Sequence, residues 1–132
     1  MPVPDERDHE GGQGLPRSAR LRHRREFLEV QRRGRSVRTR YLVLLALPNG
    51  LGHRRLGVTV STRVSKRAVD RNRIKRHLRE AFRKERGCLP PSCDVVLIAR
   101  GAALEASHAQ LVAAFTEAAR RLPDLPALEF AR

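Results

Sequence analysis

The spacing of apolar residues predicts a helix and two strands in the first half of the chain. Residues 23–33 place apolar side chains at helical intervals and end before Gly34, a residue suited to the position after a helix C-terminus. Residues 40–47 form a near-continuous apolar run, which is typical of a strand buried on both faces. Residues 55–61 alternate apolar and polar positions after a glycine-containing turn, and this alternation predicts a second strand.

The second half of the chain predicts a long helix, a strand and a last helix. Ser65 can cap a helix that runs to about Arg86, where a glycine and two prolines follow. Residues 94–99 are a short apolar run and predict the third strand. Ser107 can cap the last helix, whose single apolar stripe consists of Leu111, Val112, Phe115, Ala118 and Ala119. The order α-β-β-α-β-α predicts an α+β fold, a small α/β sandwich in which helices cover one sheet.

The helix that begins near Ser65 has one apolar face and one basic face. With about 100° of rotation per residue, the apolar side chains cluster on the side expected to dock on the sheet: Ile74, Leu78, Ala81 and Phe82. The opposite side carries Asn72, Arg76, Arg79 and Arg83, with Arg73 and Lys75 flanking them. Basic groups one turn apart lie about 5–6 Å from each other and repel, and this spacing is close to that of phosphates along a nucleic acid strand. We therefore interpret this face as a polyanion-binding surface rather than an ordinary solvated one.

The net charge of the 132-residue chain is +14, and it is concentrated in two blocks. Residues 17–40 contain ten arginines and two glutamates, and residues 54–86 contain thirteen basic and three acidic residues. Nucleic acid and an anionic membrane surface are the candidate partners for such charge. No apolar run approaches the roughly 20 residues that a spanning helix needs, so we expect nucleic acid and no membrane.

The ends of the chain differ in composition from its middle. Residues 1–16 contain one arginine, four acidic residues, three glycines and three prolines, which predicts a disordered tail. We predict one folded domain over residues 17–122 and a short C-terminal tail over residues 123–132. The N-terminus has no basic region followed by an apolar one, so no secretory signal is expected and the expected location is the cytoplasm.

The sequence predicts no catalytic site and no metal site carried by the protein. The carboxylates form no cluster suited to magnesium, no glycine-rich phosphate loop follows a strand, and the five histidines are dispersed. Cys88 and Cys93 lie in a proline-rich loop without nearby histidines, which makes a poor zinc site. We expect two free thiols, with a disulfide within the loop as the alternative.

Four segments together resemble the bacterial ribonuclease P protein subunit. KRAVDRNRIKRHLREAFR (residues 66–83) closely resembles the Arg-Asn-Arg signature of that family. RLRHRREFLEVQRRGRSV (20–37) resembles its first helix, RRLGVTVSTRV (54–64) the strand that leads into the signature helix, and DVVLIAR (94–100) the strand after it. Arg-Asn-Arg alone is a weak signal, but the combined pattern over roughly residues 17–121 is specific.

The resemblance implies a fold and a function. The fold is like that of a ribosomal small-subunit protein domain, with a left-handed β-α-β crossover through the signature helix, against the ~98% right-handed rule. The family protein binds a large catalytic RNA, which cleaves the 5′ leader from precursor tRNA with magnesium ions. The protein contacts the leader in a cleft between the first helix and the sheet. The expected partners are thus this RNA and precursor tRNA, Mg²⁺ is expected in the RNA, and no protein homo-oligomer is indicated.

The resemblance also implies roles for individual residues. The RNA-binding residues are expected on and just before the signature helix, with the last of them added by its position on the basic face: Lys66, Arg67, Arg71, Asn72, Arg73, Lys75, Arg76, Arg79 and Arg83. The leader cleft is expected to contain Phe27, Gln31, Arg40, Tyr41 and Leu45. Gln31 and Leu45 stand where the family often has aromatic residues, and Thr62 and Arg63 where it has a Lys-Lys pair, which lowers the expected contribution of base stacking.

Phe27 has two interpretations. It shares a helix face with Val30, as core residues do, whereas the resemblance places it in the cleft as an exposed platform for a leader nucleotide. Arg24 and Gln31 beside it suit a surface that faces RNA. We favour the platform.

Two other protein classes are alternatives to this function. A ribosomal or other structured-RNA-binding protein with no role in cleavage would share the charge and the fold, but it would not need the signature joined to the Phe27 helix. A helix-turn-helix DNA-binding protein would need a second helix reached by a short turn. A predicted strand precedes the signature helix instead.

Overall fold

The computed structural model describes residues 17–122 and consists of a four-stranded sheet with helices on both faces. In chain order the elements are α1 (Arg24–Arg33), β1 (Arg35–Arg38), β2 (Leu42–Pro48), β3 (Arg55–Thr59), α2 (Ala68–Glu85), β4 (Cys93–Ala99) and α3 (His108–Arg121). Three short 3-10 helices span Arg17–Ala19, Arg86–Cys88 and Gly101–Glu105. The tails predicted at residues 1–16 and 123–132 lie outside the described residues.

The strand order in the sheet is β1-β2-β4-β3. β1 pairs with β2 and β2 with β4 in antiparallel fashion, whereas β3 and β4 are parallel. Because α2 connects β3 to β4, the helix with the Arg-Asn-Arg signature is the crossover of a β-α-β unit. The α+β prediction is confirmed, with the order α-β-β-β-α-β-α; the left-handed sense of the crossover stays a prediction from the resemblance.

The sequence prediction missed β1, which lies at an edge of the sheet. Three of its four residues are exposed and only Val37 is buried, so the segment has too few apolar residues to show alternation. Its pairing with β2 places Val37 opposite Leu44 and Arg38 opposite Val43. Charged residues are common on edge strands because they discourage pairing with another chain.

The two faces of the sheet pack against different helices. On the α2/α3 face, both long helices cover the sheet and form the larger core, where the rings of Phe82 and Phe115 meet edge to face with centroids 6.3 Å apart. On the α1 face, a smaller cluster consists of Leu21, Phe27, Val30, Leu45 and Val96. The side chains of β2 alternate between these two cores, so the prediction that this strand is buried on both faces is confirmed.

Gly34 follows the last residue of α1, as predicted. Glycine at this position often has a left-handed backbone conformation, but Gly34 does not. Its φ of −75° and ψ of 161° are those of extended backbone. A Cβ atom at this position would lie 2.5 Å from the carbonyl oxygen of Val30 and 2.9 Å from that of Ala46. Glycine is required because the chain passes this close to β2 as it leaves α1.

The two predicted helix caps have different outcomes. The cap predicted for α2 is wrong by two residues: Arg67 is the N-cap, and the Ser65 hydroxyl accepts from the Arg67 N–H at 3.1 Å and donates to the Asp70 carboxylate at 2.9 Å. The cap predicted for α3 is confirmed. The Ser107 hydroxyl accepts from the Gln110 N–H at 3.1 Å, and the Gln110 side-chain oxygen accepts from the Ser107 N–H at 2.8 Å.

A network of ion pairs fixes the N-terminal end of α1 to the sheet. Arg55 donates to both oxygens of Asp94 at 2.8 Å and to Glu26 of α1 at 3.0 Å. Burial alone would raise the pKa of Glu26, but the backbone N–H groups of His23 and Arg22 and the Arg55 guanidinium outweigh burial and lower it. Hydrogen bonding to Asp94 raises the pKa of Arg55. The network therefore stays ionised at neutral pH and holds α1 in place.

Candidate nucleic-acid interface

α2 presents the two faces that the sequence predicts. Its apolar residues are fully buried against the sheet and α3: Ile74, Leu78, Ala81 and Phe82. On the opposite side, Asn72, Arg76 and Arg83 are exposed, and Arg73, Lys75 and Arg79 are half-buried. The predicted orientation of the helix is confirmed, and a row of cationic side chains lies on the surface of the domain.

Arg76 is the cation of this row that is most open to a ligand. It is exposed, and within residues 17–122 it forms no hydrogen bond or ion pair. In contrast, Arg83 and Lys84 both pair with Glu80, and the hydrogen bond from Arg83 is the main cause of a lowered pKa at Glu80. A phosphate group would therefore meet Arg76 without displacing an intramolecular partner.

Two arginines of the signature support the fold as well as the surface. Arg71 donates to the carbonyl oxygen of Ser65 at 3.0 Å, and Arg73 donates to that of Leu104 at 2.7 Å. The second bond ties α2 to the 3-10 helix Gly101–Glu105. A guanidinium group has five N–H donors, so both arginines keep donors for a further ligand.

The basic residues predicted before α2 lie at its N-terminal end. Lys66 and Arg67 are exposed, and the Arg67 Nε atom is 3.8 Å from the Asp70 carboxylate. The N-terminus of a helix carries a partial positive charge, which adds to the charge of these two residues. The nine residues predicted to bind RNA thus line the N-terminal end and the outer side of one helix.

Two histidines join the edge of this surface to α3. The Nδ1 atoms of His77 and His108 are 2.8 Å apart, and the ring centroids are 4.7 Å apart. One Nδ1 must donate to the other, so the two nitrogens are not protonated together. Burial first, and then the charges of His108, Arg76 and Arg73, lower the pKa of His77. The two histidines lie on different helices and share no local sequence pattern, so the sequence predicted dispersed histidines and not this contact.

The prediction of an exposed platform at Phe27 is wrong. Its side chain is 0% exposed, and its ring packs against Gly57, where a Cβ atom would lie 2.4 Å from the Cε2 and Cζ atoms. Val30, one turn along the same face, is also fully buried, so the core interpretation of this pair is the correct one. Leu45 belongs to the same buried cluster.

The structure does not bring the five predicted cleft residues together. Gln31 is half-buried on α1. Tyr41 packs against the core of the α2/α3 face, on the opposite side of the sheet from Phe27. Arg40 is exposed, and its guanidinium carbon lies 5.5 Å from the centroid of the Tyr41 ring. These two residues line a separate cleft with the 3-10 helix Gly101–Glu105.

The α1 face has a row of residues, the open row, that sequence reasoning missed. Its members are direct neighbours across the four strands: Arg38, Val43, Ile98 and Thr59. Strand alternation places them on the α1 face, one row beyond Leu45, which lies under α1. Val43 and Ile98 are only half-buried and Arg38 is exposed, whereas the buried Thr59 hydroxyl has no hydrogen-bond partner among the described residues.

The open row combines apolar side chains with a cation. Two half-exposed aliphatic residues lie side by side at its centre, and a guanidinium lies at one end. Such a surface suits the bases and the backbone of an unpaired nucleic acid strand, although it offers no aromatic ring for stacking. The apolar run of β2 predicts that Val43 lies in a strand. That Ile98 lies beside it depends on the strand order, which the sequence does not reveal.

Other chemistry in the described part of the chain is limited. Cys88 and Cys93 are free thiols, and burial raises the pKa of Cys93 to about 12, which makes it a poor nucleophile. Within residues 17–122, no group of three or more histidine, cysteine or acidic side chains could hold a metal ion. None of the helices in that span is long and apolar enough to cross a membrane.

Comparison with known proteins relates the chain to one family. The family model for Ribonuclease P matches residues 15–123, a span that contains every helix and strand of the described residues. The ribonuclease P protein component of Thermotoga petrophila is 42% identical over 88 residues, which are 67% of this chain and 74% of the relative. That of Desulfovibrio desulfuricans is 41% identical over 123 residues, or 87% of this chain and 94% of the relative. The solved structure of the RNase P protein from Thermotoga maritima has a TM-score of 0.70 at 32% identity, and the match covers 77% of this chain and 96% of that one.

Proposed function

Since this chain belongs to the ribonuclease P protein family, we propose that it binds the catalytic RNA through α2 and the 5′ leader of precursor tRNA through the open row. A protein of this family is the accessory subunit of a ribonucleoprotein endoribonuclease that produces the mature 5′ end of tRNA. In this proposal the RNA subunit carries out the cleavage. The protein supplies binding and orientation.

One observation carries the proposal for α2: Arg76 is exposed, has no partner among residues 17–122, and lies in a row of cations on a firmly docked helix. Four buried side chains fix this helix against the sheet and α3, so the backbone that carries the basic residues is in place before any ligand binds. Binding then needs no rearrangement of the backbone, and the loss of conformational entropy is confined to exposed side chains such as Arg76. The favourable free energy comes largely from the release of counterions from the phosphates that these cations neutralise.

The open row supports the proposal for the leader. Val43 and Ile98 offer apolar contact to bases, and Arg38 offers a charge-assisted hydrogen bond to a phosphate. The buried contacts on this face hold α1 beside the open row, and they are made by Phe27, Leu45 and Gly57. Because mature tRNA has no leader, contacts at the open row would favour binding of the precursor.

The magnesium ions of this reaction belong to the RNA in our proposal. The carboxylates that lie nearest to the cationic surface do not fit a magnesium site, because Asp70 and Glu80 are each paired with basic side chains. By neutralising phosphates, the protein would lower the magnesium concentration that the RNA needs to fold and bind its substrate. Bacterial precursor tRNA is made in the cytoplasm, so the proposed activity lies there.

Reconstitution tests this function. Purified protein is added to a bacterial ribonuclease P RNA, and cleavage of precursor tRNA is followed at a magnesium concentration where the RNA alone is nearly inactive. We expect the protein to restore cleavage at the correct 5′ position, and polylysine at equal charge to fail. If the protein binds the RNA without stimulating cleavage, it is a structured-RNA-binding protein of another kind.

A further inference from the structure

The cleft lined by Arg40 and Tyr41 lies on the other side of the sheet from the open row. It is open to solvent, has a volume of about 510 Å³, and is also lined by Leu104 and Glu105 of the 3-10 helix that follows β4. That volume is in the range of small-molecule sites, about 300–1,000 Å³. We propose that this cleft binds an unpaired guanine base of the RNA that lies along α2. The inference rests on the proposed function of α2 as an RNA-binding helix.

The backbone around Tyr41 is fixed by hydrogen bonds, so the ring is positioned before a ligand binds. The Thr39 hydroxyl accepts from the N–H groups of Tyr41 at 3.3 Å and Leu42 at 3.2 Å. Arg100 donates its backbone N–H to the Tyr41 carbonyl at 2.8 Å and its guanidinium to the Thr39 carbonyl at 2.6 Å. The Tyr41 side chain packs against the larger core. A site built in this way loses little conformational entropy on binding.

Two planar groups in the cleft suit a nucleobase. The Tyr41 ring is half-exposed, and the Arg40 guanidinium lies 5.5 Å from its centroid. Unpaired bases are commonly held by stacking on aromatic rings and on arginine guanidinium planes. Arg40 is exposed and forms no ion pair within the described residues, so it is able to turn towards a base or its phosphate.

Glu105 determines the kind of base. It is exposed and forms no ion pair or hydrogen bond in the described part of a chain whose net charge is +14. A carboxylate repels phosphates, so it favours RNA binding only where the RNA offers it hydrogen-bond donors. Guanine presents two adjacent donor groups, N1–H and the N2 amino group, which match the two acceptor oxygens of a carboxylate. Adenine, cytosine and uracil do not present two adjacent donors.

One wall of the cleft is hydrogen-bonded to the cationic row of α2. Arg73 donates to the carbonyl oxygen of Leu104 at 2.7 Å, so the wall of the cleft is bonded directly to the signature residues. An RNA strand whose phosphates contact α2 thus passes the 3-10 helix that carries Glu105. This adjacency favours a base of the same RNA over a free nucleotide as the occupant.

Substitution of Glu105 distinguishes base recognition from general electrostatics, because the two predict opposite changes in the affinity for RNA. Glu105→Gln removes a negative charge, so an RNA held by phosphate contacts alone would bind slightly more tightly. If the carboxylate accepts from a guanine, affinity for the catalytic RNA should instead fall about fivefold or more, as for loss of a bidentate base contact. The control is Glu117→Gln, an exposed carboxylate on α3 that pairs with Arg121. It should leave affinity unchanged or slightly higher.

Chemical probing of the RNA identifies the base. A glyoxal reagent that modifies N1 and N2 of unpaired guanines is applied to the RNA with wild-type protein and with each variant. We expect one guanine to be protected by the wild-type protein and by the Glu117→Gln variant, and to react in the Glu105→Gln complex. If wild-type protein binds the RNA and stimulates cleavage, two results overturn the proposal for the cleft and leave the proposed function standing. Either Glu105→Gln raises the affinity, or no guanine loses its protection in the Glu105→Gln complex. If wild-type protein fails to bind the RNA, the proposed function fails and this inference fails with it.

Discussion

The ring of Phe27 occupies the space that any side chain at Gly57 would need. A Cβ atom on Gly57 would lie 2.4 Å from the Cε2 and Cζ atoms of that ring and 3.2 Å from Cδ2. Both residues are buried, one on α1 and the other on β3. Their contact sets how closely α1 approaches the sheet beside the open row.

Substitution of Gly57 by alanine should destabilise the protein. The added methyl group must displace the Phe27 ring, and overpacking of this kind costs about 1–3 kcal/mol. Phe27→Ala should cost about 3–5 kcal/mol through loss of buried contacts. Because the two residues share one space, the double variant Gly57→Ala, Phe27→Ala should be more stable than the sum of the single changes predicts. Urea unfolding of the four proteins measures each free energy.

Gly87→Ala is the matched control for this prediction. A Cβ atom at Gly87 meets nothing within 4 Å, so the alanine should be accommodated without loss of stability. If Gly57→Ala is as stable as Gly87→Ala, Phe27 does not pack as described. An exposed Phe27 would then again be a candidate contact for the leader.

The helices could be predicted because their faces repeat with the helical period. The buried residues of α2 and the Ser107 cap of α3 both follow from local spacing. β1 could not be predicted in this way, because Val37 is its only buried residue and the strand is defined by its hydrogen bonds to β2. Edge strands of this kind depend on pairing rather than on a pattern of their own.

The layer to which each side chain belongs could not be predicted from the run of apolar residues in β2. Such a run has no polar positions to distinguish one face of a strand from the other. The family resemblance implied one cleft with both Phe27 and Tyr41, and the run gave no sign that the sheet lies between them. The register of β2 with β4 and of β4 with β3 is what brings Val43, Ile98 and Thr59 into the open row.

Arg76→Ala should weaken binding of the catalytic RNA without destabilising the protein. The side chain is exposed and has no partner within residues 17–122, so its removal leaves the fold intact. If it neutralises one phosphate, the slope of log affinity against log salt concentration should shrink by roughly 0.7–0.9. Arg120→Ala, an exposed arginine near the end of α3, is the charge-matched control. Equal changes in slope for the two variants would contradict a specific contact at Arg76.

Arg38→Ala should weaken binding of precursor tRNA more than binding of mature tRNA. Arg38 lies on the α1 face at one end of the open row, so its loss removes a contact that only the leader makes. We expect about a threefold to tenfold loss for the precursor, the range for one exposed charge-assisted hydrogen bond. Arg35→Ala is the control, because Arg35 is exposed on the same strand and alternation directs it to the opposite face. A loss that is equal for both tRNAs would place the leader elsewhere on the protein.

The stability of the protein should depend on pH through the His77–His108 pair. The groups around His77 are His108 on α3, Arg73 and Arg76 on α2, and Glu80, whose own lowered pKa reflects in part the charge of His108. Burial and these positive charges lower the pKa of His77 in the folded protein, whereas in the unfolded chain a histidine titrates near pH 6.5. Protons therefore bind the unfolded chain first as the pH falls. The stability contributed by neutral His77 is complete above about pH 6.5 and is lost as the pH falls through the lower folded-state pKa.

The measurement is the melting temperature between about pH 7.5 and pH 5, a window in which the carboxylates stay ionised. The wild-type protein should melt progressively earlier as the pH falls below about 6.5. His77→Gln should flatten that decline, because glutamine keeps a hydrogen-bonding side chain beside His108 but does not titrate. His53→Gln, in the turn between β2 and β3, should retain the wild-type decline, since His53 bonds to the carbonyl oxygen of Ser18 rather than to another histidine. If His77→Gln retains the full decline, the acid sensitivity arises outside the contact between α2 and α3.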